Sequence, residues 1–172
     1  MVVIEPYNPL WPDFFEREAR RIRAVLGETA LRLEHIGSTS VPGLAAKPVI
    51  DVLLEVADSA AEASYAPGLE REGYILRIRE PDWHEHRMFN GPDTPVNLHV
   101  YSAGCPEVAK VLLFRDWLRG NPSDREAYAA VKIRLAGRAW RSVQDYADAK
   151  TEIVAQILAR AGYPATTSTE AR

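Results

Sequence analysis

Six side chains with chemical potential fall within one short run, EHIGSTSVPGLAAKPVID: His35, Ser38, Thr39, Ser40, Lys47 and Asp51. Gly37, just ahead of the hydroxyls, lets the backbone turn sharply and lets a ligand approach the main chain. Small hydroxyls and free amides after such a turn are the groups that cradle phosphate oxygens. The run is not a Walker loop, because the glycine spacing and the Lys-Ser/Thr ending are missing. On these residues alone it is either an ordinary turn or a phosphate-binding corner. Twelve residues separate Ser38 from Asp51, which interrupts the apolar stretch Val49, Ile50, Val52. A carboxylate in such a strand is costly unless it is hydrogen-bonded, bound to a metal or paired with a structural Arg or Lys. Asp51 and Glu55 would share a strand face about 13 Å apart, too far for both to hold one ion.

A second group of reactive residues lies in EHRMFNGPDTPVNLHVY. A hairpin there would bring Arg87 and His99 near each other and near the Asp51 strand. Arg87 suits a phosphate or carboxylate through its planar fork. His99, between Leu98 and Val100, is a candidate metal ligand or general base, and equally a hydrogen-bonded structural residue. Trp83, in the polar segment EPDWHEHR, either stacks on a base or covers the sheet, and His84 beside it is expected to be solvated. The single Cys105 cannot form an internal disulfide, which fits a reducing compartment.

These residues need elements to hold them. Pro12 can open a helix, and Phe14, Phe15, Ala19, Ile22 and Leu26 recur at helical spacing until Gly27 ends it. ALRLEHI alternates like a strand, GSTSVPGLAAKP reads as a loop, and VIDVLLEV is long and apolar enough for a central strand. A helix capped by Asp58 or Ser59 carries Ala60, Ala63 and Leu69, but Pro67 and Gly68 predict that it is broken or starts late. YILRI, HRMFN and VNLHVY read as three further strands, the last two joined across GPDTP. Beyond Pro106 the period turns helical. Val108, Val111, Leu112, Trp117 and Leu118 mark one helix; Asn121-Pro122 breaks it; Tyr128, Val131 and Leu135 mark a second, and Tyr146, Ile153, Val154, Ile157 and Leu158 a third. Trp11, Phe114, Trp117 and Tyr128 are expected in the core. The order predicts an α/β (α+β) domain over residues 1–163 with a helical carboxyl-terminal third and a frayed tail at 164–172.

The 172 residues carry a net charge of −3, which gives no electrostatic reason to expect DNA or a membrane surface as partner. The opening MVVIEPYNPLW has no basic head, long apolar run or small-residue cleavage site, so a signal peptide is not expected. No apolar stretch approaches the ~20 residues that span a bilayer. The expectation is a cytoplasmic protein.

The segments EPYNPLWPDFFEREARRIRAVLG, HIGSTSVPGLAAKPVIDVLLEV, HRMFNGP…NLHVY, LLFRDWLRGNP and YADAKTEIVAQILARA, in that order from about residue 3 to 163, resemble the GrpB family. That family resembles the nucleotidyltransferase superfamily, whose signature is an apolar residue, Gly, Ser, a spacer of about a dozen, then two carboxylates one residue apart. Ile36-Gly37-Ser38 and Asp51 match it. Leu53 stands where the second carboxylate belongs, and the third is replaced by His99 or Asn97. The resemblance implies a mixed sheet with flanking helices and a nucleotide-binding corner. There Gly37, Ser38, Ser40, Lys47 and Arg87 would meet phosphates, and Asp51 with His99 or His35 would hold Mg²⁺ or Mn²⁺. Asp51 and His99 are the candidate catalytic residues. Two-metal nucleotidyl transfer uses two clamped ions, and one carboxylate with one His builds only one such site easily. The implied ligand is a nucleoside triphosphate or coenzyme; domains of this family also occur fused to dephospho-coenzyme A kinases. Three alternatives stay open. They are nucleotidyl transfer to a small acceptor, a non-catalytic module binding a nucleotide, coenzyme or anionic metabolite or assisting a partner protein, and a metal hydrolase built on His35, His86 and His99. Arg115 and Lys150, within the helical motifs, are expected in structural salt bridges.

Overall fold

In the computed structural model, residues 2–164 are described; apart from residue 164, the expected tail lies outside them. Helix α1 (Trp11–Leu26) has Pro12 in its first turn, where a missing amide hydrogen costs nothing, and ends at Gly27 with φ +55°. Its inward face carries Trp11, Ala19 and Ile22, all buried. Strands β1 (Arg32–Ile36), β2 (Ile50–Val56), β3 (Ile75–Glu80), β4 (His86–Asn90) and β5 (Val96–Ser102) form one sheet in the order β1-β2-β5-β4-β3. The β2–β5 pair is parallel and the other pairs are antiparallel, so the sheet is mixed, as the sequence predicts.

Strand β2 is central and shielded on both faces, which is why VIDVLLEV reads as a continuous apolar run rather than an alternation. Val52, Leu53 and Leu54 are fully buried. Register then sorts the faces. His35, Val52, Leu98 and Phe89 lie side by side, and with them Leu33, Leu54 and Val100 face α1 and the short helix α2 (Ala66–Arg71). The late start of α2, after a single turn at Glu62–Ser64, is what Pro67 and Gly68 predict. The other face presents Glu34, Asp51, Leu53, Asn97, His99 and Met88.

Three helices cover this second face: α3 (Pro106–Gly120), α4 (Pro122–Ala136) and α5 (Val143–Arg160). Asn121-Pro122 separates the first two as predicted. Ser142 caps α5 by accepting from the Asp145 amide at 3.1 Å. Leu118, Tyr128 and Ile157 pack with Val41 and Leu44 from the loop before β2, while Val108 joins Ile36, Leu53 and Tyr101. The helical third therefore clamps the Gly-Ser loop as well as the sheet. Trp11 and Tyr128 are buried, and Phe114 and Trp117 pack against the second cluster, where core aromatics were expected.

Candidate functional site

Gly37 adopts φ +72°, and a Cβ built there would lie 2.6 Å from Asp51 Oδ2. The glycine thus serves two ends: a left-handed turn after β1, and space for a carboxylate pressed against the main chain. Residues 38–40 make one turn of 3₁₀ helix. Thr39 accepts from His35 Nε2 at 2.9 Å and donates to the Val49 carbonyl at 3.2 Å. Ser40 donates to the Gly37 carbonyl at 2.5 Å, and Arg119 on α3 donates twice to the Ser40 carbonyl, at 3.0 and 2.8 Å. Ser38 is hydrogen-bonded to the Tyr128 hydroxyl on α4. The loop is therefore fixed from the sheet on one side and the helices on the other.

Asp51 Oδ1 lies 3.1 Å from His99 Nε2, and neither side chain is sealed: they are 29% and 21% exposed. The chain of contacts continues. His99 Nδ1 is 3.0 Å from His86 Nε2, and His86 Nδ1 is 2.8 Å from Glu80 Oε1. Burial, with the neighbouring His99 adding to it, pushes His86 down to about 4, so its ring is neutral at pH 7. A neutral imidazole owns one N–H and one lone pair, so the tautomers set the direction of each contact. With Glu80 accepting from His86 and His86 from His99, a His99 lone pair faces Asp51 and leaves a place for a cation there; in the other tautomer His99 donates to Asp51 directly. Two ligands held at right angles about 2.1 Å from a divalent metal lie about 3 Å apart. Asp51 and His99 therefore fit one divalent ion, with Glu80 and His86 orienting the histidine as outer partners. Among the described residues no group of three or more His, Cys, Asp or Glu could hold a metal ion. The remaining ligands must come from water or phosphate oxygens, which is the habit of Mg²⁺.

Asp51 also stands where two cavities meet. A polar one of about 180 Å³ is lined by Ser38, Thr39, Lys47, Asn97, Lys132, Tyr146 and Lys150; a larger one of about 540 Å³ runs past His99 and Tyr101 between α3 and α5. Ser38, Asp51 and Lys150 belong to both walls. Burial, reinforced by Lys150, pushes the Lys132 amine down to about 7, and burial lowers Lys150 too, against the pull of Asp51.

Gly37, Ser38, Lys47, Asp51 and His99 are thus brought together, and three expected site residues are not. His35 points to the opposite face of the sheet, stacked on Phe15 at 5.0 Å between centroids, and burial pushes it down to about 4. It buttresses Thr39 and cannot share an ion with Asp51, which also removes the three-histidine hydrolase. Arg87 sits one residue out of phase, across from Val100, so its fork turns to the α2 side. There it is buried and paired with Glu62 and Glu85 at 2.8 and 3.0 Å. Ser40 spends its hydroxyl closing its own turn. Arg115 makes the expected salt bridge, with Glu34 at 2.8 Å. Lys150 makes none among the described residues; its amine lies 4.7 Å over the Tyr146 ring and lines the site. Trp83 covers the sheet, edge-on to His86 and Tyr101, and His84 is half-buried rather than solvated.

Sequence reasoning missed Lys132 and the link from Glu80 through His86 to His99. The signal for Lys132 was present: it falls four residues after Tyr128 and three before Leu135, on the inward stripe of α4. Glu80 and His86 flank a turn, and nothing in the sequence aligns them with His99.

The sheet, the Gly-Ser turn leading to Asp51 and the helical third define a nucleotidyltransferase-like fold. The solved structure of Cid1 in complex with its short product ApU shares it at a TM-score of 0.53 and 14% identity over 75% of this chain and 42% of that one, a likeness of fold only. The chain belongs to the GrpB family, whose GrpB protein pattern matches residues 1–160. It is 61% identical over 160 residues to the UPF0157 protein BH1888 of Halalkalibacterium halodurans, covering 93% of this chain and 82% of that protein. The crystal structure of conserved protein GrpB from Enterococcus faecalis aligns with a TM-score of 0.79 and 33% identity, over 92% of this chain and 98% of that one. A dephospho-CoA kinase of Mycobacterium tuberculosis is 35% identical over 84% of this chain and 42% of its own length. Among the described residues no helix is long and apolar enough to cross a membrane.

Proposed function

We propose that the protein binds a nucleoside triphosphate together with one divalent cation and transfers the nucleotidyl group to a small acceptor. The observation that carries the proposal is the position of Asp51, at the wall shared by a lysine-lined polar cavity and a larger, mainly apolar cleft. Ser38, Lys47 and the amines on the helical wall would meet the phosphate chain, as charge-bearing donors meet phosphate oxygens. Asp51 and His99 would hold Mg²⁺ or Mn²⁺, whose chemistry there is to neutralise charge that builds on phosphate oxygens. The larger cleft has room for the nucleoside and the acceptor, since pockets of ~300–1,000 Å³ take molecules of that size. Leu53, where the related enzymes carry a carboxylate, favours a second outcome in which the nucleotide is held without transfer.

The test is a titration of the protein with each common triphosphate, with and without Mg²⁺, followed by an assay for released pyrophosphate. Binding strengthened by Mg²⁺, with pyrophosphate release that needs an added acceptor, is the expected result. Binding without release would assign the protein to nucleotide holding alone. Absence of binding at millimolar concentration would end the nucleotide proposal.

A further inference from the structure

We propose that Lys132 and Lys150 form the seat of the terminal phosphates of the nucleotide, and that filling this seat drives a proton onto the protein. The inference deepens the nucleotide-binding proposal and rests on it for the identity of the ligand. The two amines come from different helices, α4 and α5, and line the same cavity of about 180 Å³. Lys132 is 3% exposed. Its amine lies 5.1 Å over the Tyr128 ring, and that of Lys150 lies over Tyr146. Among the described residues no carboxylate comes within ion-pair distance of either. The charged or titratable groups facing Lys132 are Lys150 and Tyr146 from α5, Tyr128 on its own helix, Lys47 from the loop and Asp51 from β2, the last across the cavity.

A buried amine and a half-buried one, with a third nearby and a single carboxylate opposite, are electrostatically incomplete. Burying like charges without counter-charge is expensive, so one amine sheds its proton instead. Burial and Lys150 put Lys132 at about 7. Above that pH the empty protein keeps Lys132 neutral. A bound anion carrying several charges restores the balance and favours the ammonium form, so the complex binds more protons than its separated parts. Linkage gives the sign: affinity for the polyphosphate rises as pH falls toward 7 from above, and flattens below. A monophosphate held at Asp51 and Ser38 brings fewer charges to the two amines than a triphosphate does, so the amines favour the longer phosphate chain.

The experiment is calorimetric titration near pH ~8.5 in two buffers of different ionisation enthalpy, which reads proton uptake directly. The probes are ATP, AMP and inorganic tripolyphosphate, and circular dichroism confirms that each variant is folded. Wild type should bind ATP with uptake approaching one proton, and bind AMP at least about tenfold more weakly with less uptake. Lys132→Arg should keep ATP binding and lose the uptake, because a guanidinium is always charged. Lys132→Met should lose the uptake and most of the preference for ATP over AMP. Lys150→Met removes the neighbouring charge and should reduce the uptake. Unchanged uptake in Lys132→Arg, or an unchanged ATP-to-AMP ratio in Lys132→Met, overturns the inference. Tripolyphosphate bound with uptake while ATP does not bind would leave the seat standing and sink the nucleotide; no binding of either would sink both.

Discussion

Asp51→Asn should abolish the Mg²⁺-dependent part of triphosphate binding and lower any nucleotidyl transfer by at least about 100-fold, the usual scale for removing one charged group from such a site. The substitution is nearly isosteric. It keeps the contact with Gly37 and leaves Val52 and Leu54 buried on the other face of β2. Its amide can still hydrogen-bond with His99, but it cannot replace a carboxylate as ligand to a hard cation. Stability should therefore change by less than about 1 kcal/mol while function disappears. Equal nucleotide affinity in Asp51→Asn and wild type, measured with Mg²⁺ present, would show that the carboxylate has no part in binding.

Gly37→Ala should damage fold and site together. An L-residue held at φ +72° and ψ −177°, a region that is essentially glycine's alone, costs about 1–3 kcal/mol. The added methyl would also sit 2.6 Å from Asp51 Oδ2 and 3.2 Å from its Cβ. The carboxyl can rotate away, but Cβ is fixed by β2, between Ile36 and Asn97 in the sheet. Either the loop lifts or Asp51 leaves His99. The expected loss is about 2–4 kcal/mol, a fall in Tm of about 5–10 °C for a domain of this size, with triphosphate binding lost as well. A thermal melt unchanged from wild type would mean that the turn is not built as described.

Much of this arrangement is legible in the chain itself, and for identifiable reasons. Local signals set the elements: Pro12 and Gly27 bound α1, Asn121-Pro122 splits α3 from α4, and Pro67 with Gly68 delays α2. Gly37, Ser38 and Asp51 are legible because one loop joins them and their chemistry is unusual for their surroundings. Residues separated by strand pairing are harder. A single residue decides which face a strand side chain occupies, and the sequence does not say that His99 faces Asp51 while Arg87 turns away. His35 fails as a ligand for the same reason, since it alternates with Glu34 and Ile36 rather than with its loop neighbours. The lysines fail differently. Lys150 reads as a salt-bridge partner in a polar helix, and only the packing of α5 over the Gly-Ser loop makes it a cavity wall. Glu80 reaches His99 through His86 across three strands, a link with no footprint in local sequence.

The most direct test is a crystal grown or soaked with a slowly hydrolysed triphosphate analogue and Mn²⁺, read by anomalous scattering. One manganese peak bridging Asp51 Oδ1 and His99 Nε2, with phosphate density running from Ser38 toward the Lys132 and Lys150 amines, is the expected result. Nucleotide density in some other part of the molecule, or manganese absent from the Asp51–His99 pair while the triphosphate is bound, would contradict the account.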